Sequence, residues 1–131
     1  MTTIKHLLER KNGYLYLACL WTLFVAYLCL TDFNKLPTIK ISGIDKGVHF
    51  VLHFFFTVFW YLHLRTVETI KYNRIFVVIL ASVVYGSLIE VGQALFTRTR
   101  KGDVLDVLSN SVGTAMACLV IFLVIRFSKK E

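Results

Sequence analysis

Four long apolar runs, separated by polar stretches, dominate the pattern of hydrophobic and polar positions along the chain. They cover residues 14–30, 48–64, 75–96 and 104–127. At about 1.5 Å of rise per residue, a helix over each run is long enough to cross the apolar core of a bilayer. The connections are short, so consecutive helices must run antiparallel. The pattern therefore predicts an all-α membrane protein, a four-helix transmembrane bundle that forms a single domain over residues 1–131.

The first run resembles the apolar part of a secretory signal, because Lys5, Arg10 and Lys11 precede it. Residues 31–34, Thr-Asp-Phe-Asn, offer no small-x-small cleavage site, and three more apolar runs follow. We therefore expect the first run to stay in the protein as a membrane-spanning helix.

Composition and charge fit lipid better than water. Of 131 residues, 56% are hydrophobic and 18% charged, the mean hydropathy is +0.66, and the net charge is +7. The fifteen Lys and Arg fall in groups of three between the apolar runs, which is typical of helix ends at a bilayer surface and argues against a nucleic-acid partner. Cys19, Cys29 and Cys118 lie inside apolar runs without metal-type spacing, so we expect neither a metal nor a cofactor.

The same basic residues give the expected orientation. With four spans, the N-terminus, the second connection and the C-terminus share one side of the membrane and hold nine Lys and Arg, against six in the other two connections. Basic residues are enriched in the cytoplasm. We therefore expect a plasma (inner) membrane protein with cytoplasmic N- and C-termini and with the first and third connections facing outward.

Polar side chains recur at helical spacing in three of the runs. The sets are Asp45, His49, His53 and Thr57; Ser82, Gly86, Glu90, Gln93 and Thr97; and Asp106, Asn110, Gly113 and Ala117. Steps of three and four place each set on one helix face. Glu90 lies roughly 9 Å inside its run by helix rise, and His53 and Asn110 lie at comparable depth. Because such groups are costly in lipid, we predict a shared polar pocket near the outer face.

Charge at that face suits an anion. The second and fourth runs begin there, so their helix N-termini offer unpaired N–H groups beside Lys46. The third connection adds Arg98, Arg100 and Lys101. Glu90 in a low dielectric must protonate or pair with a cation, and we expect Arg100 to be that partner.

Several of these groups also have structural interpretations. Asp45, and Asp103 with Asp106, are placed where helix caps occur. Lys46, like the other basic residues near it, can anchor a helix end by snorkelling. A Glu90 ion pair can simply lock two helices together.

Three sequence blocks resemble the VanZ-like family of small bacterial membrane proteins. They are Asp45-Lys46-x-x-His49, then Tyr85-Gly86-x-x-x-Glu90-x-x-Gln93, then Arg100-x5-Asp106-x3-Asn110-x2-Gly113. Ala117 stands where the family often has glycine. The resemblance implies a multi-pass plasma-membrane protein of the cell envelope. The family's namesake is associated with resistance to the glycopeptide antibiotic teicoplanin, and no settled reaction is implied.

These observations favour a non-enzymatic protein that binds an anionic lipid or a cell-wall-precursor headgroup in the outer pocket. The candidate ligand-binding residues are Asp45, Lys46, His49, His53, Tyr85, Glu90, Gln93, Arg100, Asp106 and Asn110. Membrane lipids are the expected partners, and a second copy of the chain is another candidate. The alternative is an intramembrane enzyme acting on a lipid-linked substrate, with Glu90 and His49 as catalytic candidates or with Asp45 and His53 joining them around a metal. A proton-coupled carrier using Glu90, or a structural subunit, also stays open.

Overall fold

Four long helices make up the part of the chain that the structure, a computed structural model, describes. The described residues are 12–31, 43–67, 73–97 and 103–128. The helices are α1 (Gly13–Leu30), α2 (Ile44–Thr66), α3 (Arg74–Phe96) and α4 (Val104–Ser128). Each is long and apolar enough to cross a membrane. The predicted fold class, an all-α bundle of four transmembrane helices, is confirmed.

Helix α2 begins four residues before the apolar run that predicted it. Gly43, with φ of +94°, occupies the left-handed conformation just ahead of the helix, where glycine carries no Cβ penalty. Asp45 and Lys46 consequently belong to the first helical turn, and Gly43, not Asp45, is the N-cap residue. Hydropathy marks only the apolar part of a helix, so the polar turn at its end was not included in the predicted span.

Helix α4 begins with the side-chain cap that its sequence predicted. The Asp103 Oδ1 atom accepts a hydrogen bond of 2.9 Å from the backbone N–H of Leu105. The Asp103 carbonyl oxygen accepts one of 3.0 Å from the N–H of Asp106. These bonds satisfy donors that an uncapped helix would leave unpaired.

The most extensive packing joins α2 and α4. A Cβ atom at Gly113 would overlap the carbonyl oxygen of Phe50 on α2, so the two backbones approach closely only because residue 113 is glycine. Ala117, one turn further along α4, is fully buried. This agrees with the rule that small residues mark the closest helix contacts in membranes.

Helix α1 packs against α2 and α3, and indole hydrogen bonds join it to α2. The Nε1–H group of Trp21 donates to the carbonyl oxygen of Leu52 at 3.0 Å. The Nε1–H group of Trp60 donates to the hydroxyl oxygen of Thr22, also at 3.0 Å. Cys29 is buried among apolar residues of all three helices.

The bundle is apolar outside and polar inside. Large apolar side chains such as Leu88, Phe96 and Val104 are exposed on its surface, where lipid would cover them. Nine polar or ionisable side chains in the described part of the chain are buried instead: His49, His53, Thr57, Ser82, Glu90, Gln93, Asp106, Asn110 and Thr114. This inverted distribution is that of a protein whose solvent is a bilayer.

Candidate functional site

The buried polar side chains of α2, α3 and α4 meet near one end of the bundle. We call this end the site face: the face at which α1 and α3 end and α2 and α4 begin. Lys46 and Asp103 lie there at partly exposed positions. His49, Glu90, Asp106 and Asn110 lie just inside and are buried.

Carboxylates dominate the outer layer of the site. The Nζ atom of Lys46 lies 3.3 Å from the Oδ2 atom of Asp103 and 3.9 Å from the Oδ1 atom of Asp106. The Oε2 atom of Glu90 accepts a 3.2 Å hydrogen bond from the backbone N–H of Asp103. The Leu105 N–H, followed by the Lys46 ammonium, holds the pKa of Asp103 below its ordinary value. Asp103 is therefore ionised at neutral pH and serves at once as a helix cap and an ion-pair partner.

His49 is the centre of the site. Its Nδ1 atom lies 3.1 Å from the Oδ1 atom of Asn110. Since an amide oxygen only accepts, Nδ1 carries the hydrogen, and in the neutral ring the Nε2 atom then has a free electron pair. Nε2 lies 3.8 Å from the Oδ2 atom of Asp106, and Nδ1 lies 3.8 Å from the Oε1 atom of Glu90. Carboxylates thus flank the imidazole at distances too long for hydrogen bonds.

A chain of hydroxyl groups continues deeper into the bundle. The Nδ1 atom of His53 lies 2.8 Å from the Ser82 hydroxyl oxygen. The hydroxyl oxygens of Ser82 and Thr114 are 2.7 Å apart, and Thr57 donates to Thr114 at 3.4 Å. Short hydroxyl side chains thereby join α2, α3 and α4 without bringing charge into the middle of the membrane.

Glycine at position 86 allows the group around His49 to lie directly against the deeper chain of hydroxyl groups that begins at His53. A Cβ atom there would lie 3.0 Å from both the Nδ2 atom of Asn110 and the Cε1 atom of His53. Those two side chains therefore lie directly against the backbone of α3. Any larger residue at position 86 would displace the amide that orients His49.

Among the residues that the structure describes, four buried polar atoms in this region have no hydrogen-bond partner. They are the Oε1 atom of Glu90, the Oδ1 atom of Asp106, the Nδ2 atom of Asn110 and the Nε2 atom of His53. Buried polar groups are normally paired, so an unpaired group needs an explanation such as a water, an ion or a ligand. Acceptors and a donor left unpaired together are what a bound polar molecule or ion would satisfy.

The structure brings some of the predicted site residues together and separates others. His49, Glu90, Asp106 and Asn110 form one group, Asp45 and Lys46 lie at its edge, and His53 lies one turn deeper. The predicted partner of Glu90, Arg100, lies outside the described residues together with Arg98 and Lys101. The Glu90–Arg100 pair accordingly stays a prediction.

Tyr85 and Gln93 face helix α1 and not the group around His49. The Tyr85 hydroxyl donates a 2.6 Å hydrogen bond to the carbonyl oxygen of Thr22. The Gln93 side-chain amide donates one of 2.9 Å to the carbonyl oxygen of Cys29. In this structure both side chains fasten α3 to α1.

Four residues of the polar network, Thr57, Ser82, Asp103 and Thr114, were not among the predicted site residues, and the last two were also absent from the predicted polar stripes. Asp103 was expected only as a helix cap, although it also contacts Lys46 and Glu90. Thr114 was overlooked because the predicted stripe on α4 passed from Asn110 to Gly113. The step of four from Asn110 would have indicated it, since residues four apart lie on one helix face.

Comparison with known protein families gives a match over nearly the whole chain. The family model described as VanZ/LLP1 matches residues 5–126, a range that includes α1, α2 and α3 and nearly all of α4. No curated protein and no solved structure gives a significant match.

Proposed function

The chain belongs to the VanZ/LLP1 family, and we propose that it binds the phosphate-bearing headgroup of a membrane lipid or of a lipid-linked cell-wall precursor at its site face. It is a multi-pass membrane protein with four apolar helices. The observation that carries the proposal is the meeting of the α2 and α4 N-termini with Lys46 at the site face, beside the Asn110 Nδ2 donor, which has no hydrogen-bond partner among the described residues. An envelope role, toward which the teicoplanin association of the family's namesake points, follows from a ligand of this kind.

Positive charge for a phosphate has two sources in the described residues. Helices α2 and α4 both begin at the site face, so the positive ends of their dipoles point toward it. Lys46, in the first turn of α2, is half-exposed and can turn from Asp103 toward a ligand. The sequence adds Arg98, Arg100 and Lys101 in the connection between α3 and α4.

An apolar groove lies on α2 at the same level as the site. Ile44, Gly47, Val48, Val51 and Leu52 line its volume of about 460 Å³. Because this wall is apolar, it suits a hydrocarbon chain whose headgroup lies in the neighbouring polar layer. A lipid would thus contact both the polar site and the apolar groove, whereas a free phosphate would contact only the polar site.

The geometry favours binding over acid–base catalysis. Asn110, not Glu90, is hydrogen-bonded to the Nδ1 atom of His49, and Glu90 lies 3.8 Å from that atom. A general base must come within hydrogen-bond reach of the proton that it removes. The intramembrane enzyme is therefore the second candidate, and substrate turnover would be needed to prefer it.

We further propose that the protein lies in the plasma membrane with both termini in the cytoplasm, so that the site face is outward. The basic-residue count supports this orientation, with nine on the proposed inner side against six. A cysteine at Val104, which is 75% exposed at the site face, should react with a membrane-impermeant maleimide on intact cells. One at Asn73, at the opposite face, should react only after lysis. The reversed labelling pattern would overturn the orientation.

Headgroup binding can be tested by native mass spectrometry of the protein in nanodiscs of equal parts phosphatidylglycerol and phosphatidylcholine. We expect phosphatidylglycerol to be enriched on the wild type and the enrichment to fall in Lys46→Gln. Arg65→Gln is the matched control, because Arg65 lies at the other end of the same helix. Adding a long-chain polyprenyl diphosphate separates the two lipid classes, since a precursor-binding site would exchange phosphatidylglycerol for it. Equal enrichment in both variants would contradict the proposal.

A further inference from the structure

We infer that the site face holds a divalent metal ion, with His49, Asp106 and Asp45 as its ligands. One ligand atom from each of these residues lies within 4.8 Å of the others. In the sequence a metal was considered only for the enzyme alternative, with Asp45, His49, His53 and Glu90 around it, and Asp106 was not among those ligands because it lies on a different helix. The inference stands on the geometry of the site and goes beyond headgroup binding.

The electron pairs of the site point toward one another. The Asn110 amide oxygen fixes the hydrogen of His49 on Nδ1, which leaves the Nε2 electron pair directed toward the Oδ2 atom of Asp106 at 3.8 Å. Two such atoms repel unless a proton or a metal ion lies between them. Ligands about 2.2 Å from a shared ion are separated by about 3 to 4.4 Å, depending on the angle at the metal. The observed separation falls in that range.

Asn110 has the position of an outer-sphere residue in a metal site. Histidine ligands usually donate their second N–H group to a carboxylate or an amide oxygen, which fixes the ring and directs the other nitrogen at the metal. The bond of 3.1 Å between His49 Nδ1 and Asn110 Oδ1 does this here. Gly86, by leaving room for the amide, holds the arrangement against α3.

Two carboxylates in the site are nearly inaccessible and incompletely paired. Asp106 is 5% exposed and Glu90 is 6% exposed. One oxygen of each, Oδ1 of Asp106 and Oε1 of Glu90, is buried without a hydrogen-bond partner. Removing a carboxylate from water without such partners is strongly unfavourable. A divalent ion bound to the Asp106 carboxylate would satisfy that group.

The Lys46 ammonium does not take the place of a metal ion beside Asp106. Its ammonium makes its shorter contact, 3.3 Å, with Asp103 and stays 3.9 Å from Asp106. Among the described residues, no cation therefore lies within hydrogen-bond distance of the buried Asp106 carboxylate, and a divalent ion would supply one.

The donor set also indicates the class of metal. One imidazole with two carboxylates suits Zn²⁺, Mn²⁺ or Fe²⁺ better than the soft ions that thiolates select. Asp45 is exposed, so an ion can enter from the membrane surface without crossing lipid. If the proposed headgroup binds, its phosphate would meet the open side of the ion.

Electron paramagnetic resonance with Mn²⁺ tests the site directly. Free aqueous Mn²⁺ gives a six-line signal that weakens when the ion binds. A titration of chelator-treated protein in lipid-free detergent therefore gives both the number of Mn²⁺ ions bound per chain and their affinity. Mn²⁺ is chosen because thiolates bind it poorly, which keeps Cys19, Cys29 and Cys118 from contributing. We expect one ion per chain in the wild type and at least tenfold weaker binding in Asp106→Asn and His49→Gln.

Control variants keep the result interpretable. His63→Gln removes a histidine from the far end of α2 and should bind Mn²⁺ as the wild type does. Asp45→Asn changes the exposed ligand, where the risk to folding is least, and should also weaken binding by at least tenfold. Size-exclusion and tryptophan-fluorescence melting without metal show whether each variant is folded.

Equal affinity in the wild type, Asp45→Asn and Asp106→Asn, or no saturable binding in the folded wild type, would overturn the metal site. The chain's own cations would then balance the carboxylates. Because this titration contains no lipid, its failure leaves headgroup binding standing. Conversely, saturable Mn²⁺ binding by the wild type without any enrichment of phosphatidylglycerol on it in nanodiscs would count against headgroup binding alone.

Discussion

Replacing Gly113 by alanine should strongly destabilise the bundle, and the structure gives a reason for the size of the effect. The added Cβ atom would overlap the carbonyl oxygen of Phe50, a backbone atom inside α2. Backbone in the middle of a helix cannot rotate away as a side chain can, so α2 and α4 must move apart. Overpacking of this kind typically costs about 1–3 kcal/mol. We expect the upper part of that range, because the α2–α4 contact is the most extensive in the bundle.

Other glycines of the same chain provide matched controls. A Cβ atom at Gly47 would meet nothing within 4 Å, and one at Gly92 would meet only the end of the Leu30 side chain at 3.0 Å. Gly47→Ala should stabilise α2 by about 0.5–1 kcal/mol, since alanine loses less conformational entropy in a helix. Gly92→Ala should be nearly neutral after Leu30 shifts. The three variants add the same methyl group and differ only in the atoms that this group contacts.

The assay is reversible unfolding in mixed detergent micelles, followed by the fluorescence of Trp21 and Trp60. A loss of about 3 kcal/mol lowers the ratio of folded to unfolded protein by about a hundredfold, at about 1.4 kcal/mol per factor of ten. We expect Gly47→Ala to be the most stable of the three variants, Gly92→Ala to be intermediate and Gly113→Ala to be the least stable. Equal stability of Gly113→Ala and Gly47→Ala would refute the close approach of α2 and α4.

Two further predictions concern single contacts. Tyr85→Phe removes the hydrogen bond to Thr22 and should lower the free energy of unfolding by about 1 kcal/mol, with the Mn²⁺ affinity unchanged. A large loss of that affinity with an unchanged free energy of unfolding would instead place Tyr85 at the site. Asp103 has a lowered pKa because of the Leu105 N–H and the Lys46 ammonium. Its ionisation therefore stabilises the fold above the unfolded pKa of about 3.9, and this stabilisation is lost as the pH falls through the lower folded value. Asp103→Asn keeps a capping oxygen, so the difference in unfolding free energy between wild type and variant should shrink below about pH 4. A difference independent of pH would contradict this.

The positions of the helices were predictable because one physical requirement dominates them. A chain in lipid must satisfy its backbone hydrogen bonds internally, so apolar runs of sufficient length become helices. Their ends were less predictable, as α2 shows. Gly43 and the polar turn that contains Asp45 and Lys46 lie at the membrane surface, where hydropathy no longer distinguishes helix from loop.

The candidate site was predictable to the level of helix faces. Steps of four placed His49 with His53, and Asp106 with Asn110, on common faces, and the structure brings His49, Asp106 and Asn110 together. Spacing cannot tell which neighbouring helix a face meets. Tyr85 and Gln93 were therefore assigned to the same pocket as Glu90, whereas their hydrogen bonds lead to α1.

Helix α3 contacts α1 on one side and α2 and α4 on the other, and this changes how variants of its residues should be interpreted. One face carries Ser82, Gly86 and Glu90 toward α2 and α4, while Tyr85 and Gln93 hold α1. In lipid, apolar burial adds little to helix association, so such polar bonds and close packing carry it. Loss of either α1 bond would let α3 shift and move Glu90 without altering any atom of the site. Lost binding in a Tyr85 or Gln93 variant therefore indicates a ligand contact only when the unfolding free energy is unchanged, whereas Glu90 and Asp106 act on the site directly.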